Sequence, residues 1–213
     1  MSKFVSSFNV DFCKVLNTDF PSLIPAKIFK DLDVYRRNPS RIKRYTKENF
    51  GASFSLVQGK HLYVSGEFDD DNDRIHLTAH LPKVFTNIQW NYFKTEYIIT
   101  LMHEYVHRMQ YSYSDSAFDL VLLHRESHKA KIEEEREYYS TWIEIQAYAH
   151  CILCEFKNNN LNKTCIEQIR AKRCTSPTLQ RYRKVFDGFD YPIRYLYREI
   201  LRWERRYENL NKR

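Results

Sequence analysis

The sequence is poor in residues that break regular structure, and it has no long apolar run. Four glycines and six prolines among 213 residues argue against collagen-like, linker-rich and many-turned all-β architectures. The apolar run at 97–102 is far shorter than the roughly 18 residues that a membrane helix needs. Five cysteines, an odd number without a pattern, favour reduced core thiols over a disulfide framework. These absences predict a soluble intracellular protein.

The residues that are present favour an α+β fold with a mostly helical body. Apolar residues make up 43% of the chain and aromatic residues 15%, enough for one substantial core. Alternating apolar residues predict a small antiparallel β-sheet joined by hairpins, with Gly59 and Gly66 at turns. We expect a single domain over 1–213, with N-terminal helices in 8–45, the sheet in 52–82, site-bearing helices in 87–157 and basic helices in 163–213.

One motif carries recognisable chemistry, and it lies in a predicted helix. His103, Glu104 and His107 form an H-E-x-x-H pattern, of which random placement would give roughly 0.02 matches in this composition. Residues i and i+4 lie one above the other on a helix, so both imidazoles reach one Zn²⁺ ion. Glu104 is placed to take a proton from the water that the zinc activates. The motif predicts a catalytic zinc site.

A third ligand is expected from a later helix that packs across the first. Glu144 stands among apolar residues, where a carboxylate is costly to bury unless a cation or a metal pairs with it. Ser140 or Thr141 is the predicted N-cap of this helix, and Ala147 would let the two helices approach closely. These features predict a zinc site between two helices, with Glu144 as the third ligand.

The two motifs together resemble those of gluzincin-type zinc metallopeptidases. Glu144-Ile-Gln-Ala147 follows the second motif histidine by 37 positions, and the surrounding Tyr-Tyr and Ala-Tyr-Ala-His residues resemble small peptidases of tailed bacteriophages and large DNA viruses. The resemblance implies a zincin-like fold, His103, His107 and Glu144 as zinc ligands, and Glu104 as the general base for hydrolysis of a protein or peptide substrate. For a viral protein, it implies the host cytoplasm or the virion as the location.

The resemblance also implies a substrate-binding strand and an oxyanion donor. A strand before the zinc helix forms the rim of the cleft in such families, and 74–81 matches that place in the order. Tyr139, Tyr148 and His150 are the candidates for the donor, although His150 lies about 240° round the helix from Glu144.

Two other classes of function compete with this hypothesis: a protease that acts on another kind of substrate, and a protein without enzymatic activity. A DNA-associated protease of the SprT-like class would use a third histidine, and an ImmA/IrrE-type regulator protease would share the Glu-x-x-Ala pattern. A non-enzymatic virion protein would keep the zinc only as a structural element.

Other residues could also bind zinc, but the sequence favours them less. His124 and His128 are weaker alternative ligands. Cys151 and Cys154 have poor spacing for a second zinc site.

The positive charge is concentrated at the C-terminal end. The chain has a net charge of +7, and the excess of Lys and Arg lies beyond Glu155. Arginines alternate with aromatic residues there, as in a nucleic-acid-binding surface. However, Ile193, Leu196, Ile200 and Trp203 recur at helical spacing, so a core-facing helix with a solvated basic face is the favoured interpretation.

Overall fold

The structure is a computed structural model that describes residues 25–111, 131–159, 164–186 and 190–210. It has a mostly helical α+β fold with one small three-stranded sheet, as the sequence predicts. The helices are α1 (Pro25–Asp31), α2 (Ile42–Phe50), α3 (Asn87–Tyr111), α4 (Lys131–Ser140), α5 (Trp142–Asn159), α6 (Cys165–Arg170), α7 (Pro177–Val185) and α8 (Tyr191–Leu210). The strands are β1 (Ser53–Gln58), β2 (Tyr63–Asp69) and β3 (Arg74–Leu81), and two 3₁₀ turns, Leu32–Tyr35 and Pro39–Arg41, join α1 to α2.

The sheet is mixed, and this corrects the predicted antiparallel sheet. Its strand order is β1-β3-β2, with β3 parallel to β1 and antiparallel to β2. Only the β2–β3 connection is a hairpin. Alternate residues of β3 are buried, including Ile75, Leu77 and Ala79. The strand with the most regular alternation of buried and exposed residues is therefore the central strand of the sheet. One of its faces covers the core, and both of its edges are paired.

The central position of β3 also overturns its expected role as the rim strand. Both hydrogen-bonding edges of β3 are occupied, so it has none left for a substrate. The edge strand next to the zinc-motif helix is β2, which packs against α3. Gly66 lies inside β2 and not at a turn, contrary to the prediction, whereas Gly59 does lie in a connection.

Helices α3 and α5 pack against each other and join two hydrophobic clusters. The first half of α3 packs under the sheet with α1 and α2, through residues such as Phe93, Tyr97 and Leu101. Its second half and most of α5 pack with the C-terminal helices. The Thr141 hydroxyl accepts a hydrogen bond from the Glu144 amide at 3.4 Å, which identifies Thr141 as the N-cap of α5.

The C-terminal helices have the predicted inward stripe. Ile193, Leu196 and Ile200 of α8 are fully buried and Trp203 nearly so, which confirms a core-facing helix. The thiols of the described cysteines are buried and form no disulfide bond, which agrees with the predicted core thiols. These are Cys151, Cys154, Cys165 and Cys174. Within the described ranges, every helix is too short or too polar to span a membrane.

Candidate metal centre

The structure brings together the side chains that the sequence singles out as zinc ligands. The Nε2 atoms of His103 and His107 are 2.9 Å apart. Glu144 places Oε2 at 3.3 Å from His103 Nε2 and Oε1 at 3.5 Å from His107 Nε2. All three residues are buried, with 4–8% of their surface exposed. Two adjacent helices therefore direct two imidazole nitrogens and one carboxylate at a common point.

The donor set and its spacing fit a zinc ion. Tetrahedral coordination with bonds near 2.0–2.1 Å separates neighbouring ligand atoms by about 3.3 Å, close to the three distances in the structure. Glu144 Oε2 is buried, and no group of the described residues donates a hydrogen bond to it, although a buried carboxylate normally has each oxygen satisfied. Two imidazoles and a carboxylate are a common zinc ligand set. The residues present therefore fit this metal.

The charges in this group favour an ionised carboxylate. Burial opposes ionisation of Glu144, but the two adjacent imidazoles outweigh burial and hold the pKa of this carboxyl well below its usual range. Burial likewise opposes protonation of His107, and the carboxylates of Glu144 and Glu104 reverse that effect, so the pKa of His107 is raised. The negative charge of two carboxylates thus attracts a cation to the position between the ligand atoms.

Gln110 orients the imidazole of His107. The Gln110 Nε2 group donates to the Ile143 carbonyl oxygen at 3.0 Å and to Gln146 Oε1 at 3.2 Å, so its Oε1 must face the histidine. That oxygen lies 2.9 Å from His107 Nδ1, which must therefore carry the proton. When His107 is neutral, its one proton is therefore on Nδ1, and Nε2 is deprotonated, as a metal ligand requires.

A buried thiol has the corresponding position beside His103. Cys151 Sγ lies 3.7 Å from the Ile99 carbonyl oxygen, to which its S–H can donate, and 3.8 Å from His103 Nδ1. Burial raises the pKa of this thiol well above its usual value, so the sulfur stays protonated. The sulfur can then accept a weak hydrogen bond from His103 Nδ1–H, so that His103 Nε2 faces the other expected ligands.

Glu104, the predicted general base, lies beside the edge strand. It is 7% exposed and contacts Gly66 of β2, where an added methyl group would stand 2.8 Å from Glu104 Oε1. The strand backbone can approach this carboxylate so closely only because Gly66 has no side chain. The sequence offered one signal for this contact, a glycine inside an alternating strand pattern.

The three oxyanion candidates occupy different positions. The Tyr148 ring lies 4.5 Å from the His103 ring, and Tyr139 packs behind it at 5.2 Å. His150 is fully buried against Trp203 of α8, with a ring separation of 4.6 Å. Tyr148 is therefore the candidate that the fold brings to the histidines. His124 and His128 lie outside the described residues.

Comparisons with known proteins add no information on this site. No family model matches the chain, and neither a curated protein nor a solved structure matches it.

Proposed function

We propose that the protein is a zinc-dependent metallopeptidase. The observation that carries this proposal is the convergence of His103 Nε2, His107 Nε2 and the Glu144 carboxylate within 3.5 Å, with Glu104 adjacent on the same helix. Peptide hydrolysis at such a site needs a metal, a base for the attacking water and a donor for the developing negative charge. The chain offers a group for each task.

Each task falls to a separate side chain. His103, His107 and Glu144 would hold the zinc, which would supply Lewis-acid chemistry when bound. Glu104 removes a proton from the attacking water and passes it to the leaving amine. Burial raises the pKa of Tyr148 far above its ordinary value, so its hydroxyl remains a hydrogen-bond donor at neutral pH.

The edge strand β2 supplies a place for the substrate backbone. In the described sheet, β2 pairs with β3 along one edge only, and Gly66 brings this strand against Glu104. An extended peptide that adds to the other edge would be held by main-chain hydrogen bonds close to the base. We therefore assign the rim of the cleft to β2 and expect a protein or peptide substrate.

Metal content and peptide cleavage test the proposal together. We expect about one zinc per chain in the wild type and in Glu104→Gln, and much less in Glu144→Ala. A mass-spectrometric peptide-library assay should detect cleavage only by the wild type, because Glu104→Gln keeps the ligands and loses the base. A folded wild type that binds no zinc contradicts the site. Zinc binding without any cleavage contradicts the peptidase assignment alone.

One observation favours a second candidate, a zinc ion with a purely structural role. The ligands and Glu104 are 4–8% exposed, and the helices that carry them join the two hydrophobic clusters. For this candidate, Glu104→Gln would leave the biological function unchanged, while His103→Ala would unfold the chain. A third-histidine ligand, as in the SprT-like hypothesis, has no support within the described residues, where the metal-ligand group contains Glu144.

A further inference from the structure

Among the described side chains of α7 and α8, the exposed charges are all positive, because the described carboxylates of α8 face inward. Glu199 and Glu204 are only 4% and 2% exposed. Glu204 accepts a hydrogen bond from the Cys165 amide at the start of α6, and Glu199 pairs with Arg202. A surface that serves only to keep a protein soluble usually carries positive and negative side chains mixed together. The segregation of charge on α8 therefore indicates a surface for an anionic partner.

The exposed basic residues of α7 and α8 include three arginines near Tyr197 and along one side of α8. Arg183 of α7 donates to the Tyr197 hydroxyl of α8 at 3.3–3.4 Å, which brings the two helices together. Arg198 and Arg205 are seven residues apart on α8, so they lie about 20° apart around the helix and about 10 Å apart along it. We call Arg183, Arg198 and Arg205 the arginine face.

An exposed aromatic ring lies at one end of the arginine face. Tyr191 is 67% exposed and stacks on Tyr195, with ring centroids 5.8 Å apart and planes 10° apart. The Arg198 guanidinium lies over the Tyr195 ring at 4.8 Å. Two rings and one cation therefore follow one another along the helix surface, and the outer face of Tyr191 is open for a further flat ring.

A cleft of about 420 Å³ adjoins Tyr191. Phe186 and Glu137 also line it, and the carboxylate of Asp190 on its wall is paired with Arg136 at 2.7 Å. This volume falls within the range of small-ligand sites. The cleft gives room beside Tyr191 for a ring that stacks on it.

We propose that the arginine face and Tyr191 bind single-stranded nucleic acid. Guanidinium groups contact phosphates, and Tyr191 stacks on a base, which is the combination typical of binding without sequence preference. An acidic protein would use the same arginines, but it would gain little from the exposed, pre-stacked tyrosine. The surface shares no residue with the metal centre, so this proposal stands independently of the peptidase proposal.

Salt-dependent binding of a labelled single-stranded oligonucleotide of about 20 nucleotides tests the proposal. In fluorescence anisotropy at about 50 mM salt, the triple variant Arg183→Gln/Arg198→Gln/Arg205→Gln should bind at least about 10-fold more weakly than the wild type. Its slope of log affinity against log salt should be smaller by about 2. The control Arg36→Gln/Arg37→Gln/Arg41→Gln removes three exposed arginines from another region and should stay within about 2-fold of the wild type.

A second variant separates nucleic acid from other anions. Tyr191→Ala should weaken binding of the single strand by about 5- to 10-fold and leave duplex binding nearly unchanged, since only unpaired bases stack on the ring. Thermal unfolding of each variant verifies its fold. Equal losses in the two triple variants would overturn the proposal. So would competition by poly-glutamate as effective as that by the unlabelled oligonucleotide, which would identify an acidic protein as the partner.

Discussion

At the scale of single residues, the candidate metal centre includes side chains that orient its expected ligands. Gln110 faces His107 because it lies three residues later on the same helix, and it reaches the Ile143 carbonyl on α5. The Gln110 side chain therefore sets the tautomer of His107 and links this histidine to Ile143, the residue before Glu144. No motif marks Gln110 in the sequence, although it stands one helical turn beyond His107.

Replacing Gln110 should weaken zinc binding without removing a ligand. In Gln110→Leu the His107 Nδ1 proton loses its acceptor, and we expect zinc affinity to fall by about 10- to 100-fold. Competition with a chromogenic chelator measures this change. Gln110→Glu keeps an acceptor oxygen and should recover most of the affinity. Wild-type affinity in the leucine variant would contradict an orienting role.

His150 should make the free energy of unfolding depend on pH. Burial is the main cause that lowers its pKa from 6.5 to about 3 in the folded protein. Between these values the unfolded chain binds a proton that the native protein does not, so stability is full above pH 6.5 and is lost as pH falls toward 3. The loss amounts to at most about 1.4 kcal/mol per pH unit.

The variant His150→Phe isolates this contribution, because phenylalanine can pack against Trp203 without titrating. We expect its free energy of unfolding, measured in urea from pH 7 to pH 4, to fall less steeply than that of the wild type. Parallel pH profiles for the two proteins would exclude His150 as the cause.

At the scale of elements, the close approach of β2 to α3 depends on one glycine. A Cβ atom at Gly66 would lie 2.6 Å from Thr100 Cγ2 and 2.7 Å from Glu104 Cγ, well inside contact distance. The strand and the helix must therefore separate, or Glu104 must move, if any side chain is present there.

We expect Gly66→Ala to destabilise the protein by about 1–3 kcal/mol in urea unfolding. Peptide cleavage should fall further than stability explains, because the displaced group is the proposed base, while zinc content should stay near one per chain. Gly59→Ala is the matched control, since its nearest neighbours would lie 3.4 Å from the new Cβ. Equal behaviour of the two variants would refute a positioning role for Gly66.

At the scale of the whole molecule, the candidate metal centre lies where the two hydrophobic clusters meet. Met102, just before the motif, belongs to the cluster under the sheet, and Val106 belongs to the cluster of the C-terminal helices. Glu144 comes from α5, which packs on the same stretch of α3. A metal that binds all three ligands therefore ties together two parts of the core.

Zinc should consequently raise the melting temperature of the protein. A ligand that binds only the native state, present at about 1,000 times its Kd, adds about 4 kcal/mol. For a chain of this size that corresponds to roughly 8–16 °C. Differential scanning fluorimetry with zinc and with a chelator measures the shift. Glu144→Ala should show little of it, and an equal shift in that variant would place the metal elsewhere.

Local rules account for what the sequence determined by itself. Helical spacing put His103 and His107 on one face, an apolar surrounding marked Glu144, a hydroxyl marked the N-cap at Thr141, and periodicity marked the buried stripe of α8. Each of these signals depends on residues within a few turns of one element. The α+β class and the residues of the candidate site follow from such signals.

Only the tertiary structure decided which distant segments meet. The pairing of β1 with β3, the contact of Gly66 with Glu104 and the bond from Gln110 to Ile143 join residues from different elements. The burial of Glu199 and Glu204, which leaves arginines on the surface, likewise depends on packing around α8. Local periodicity carries no information on partner or register, because many pairings bury the same apolar faces and the global packing selects among them.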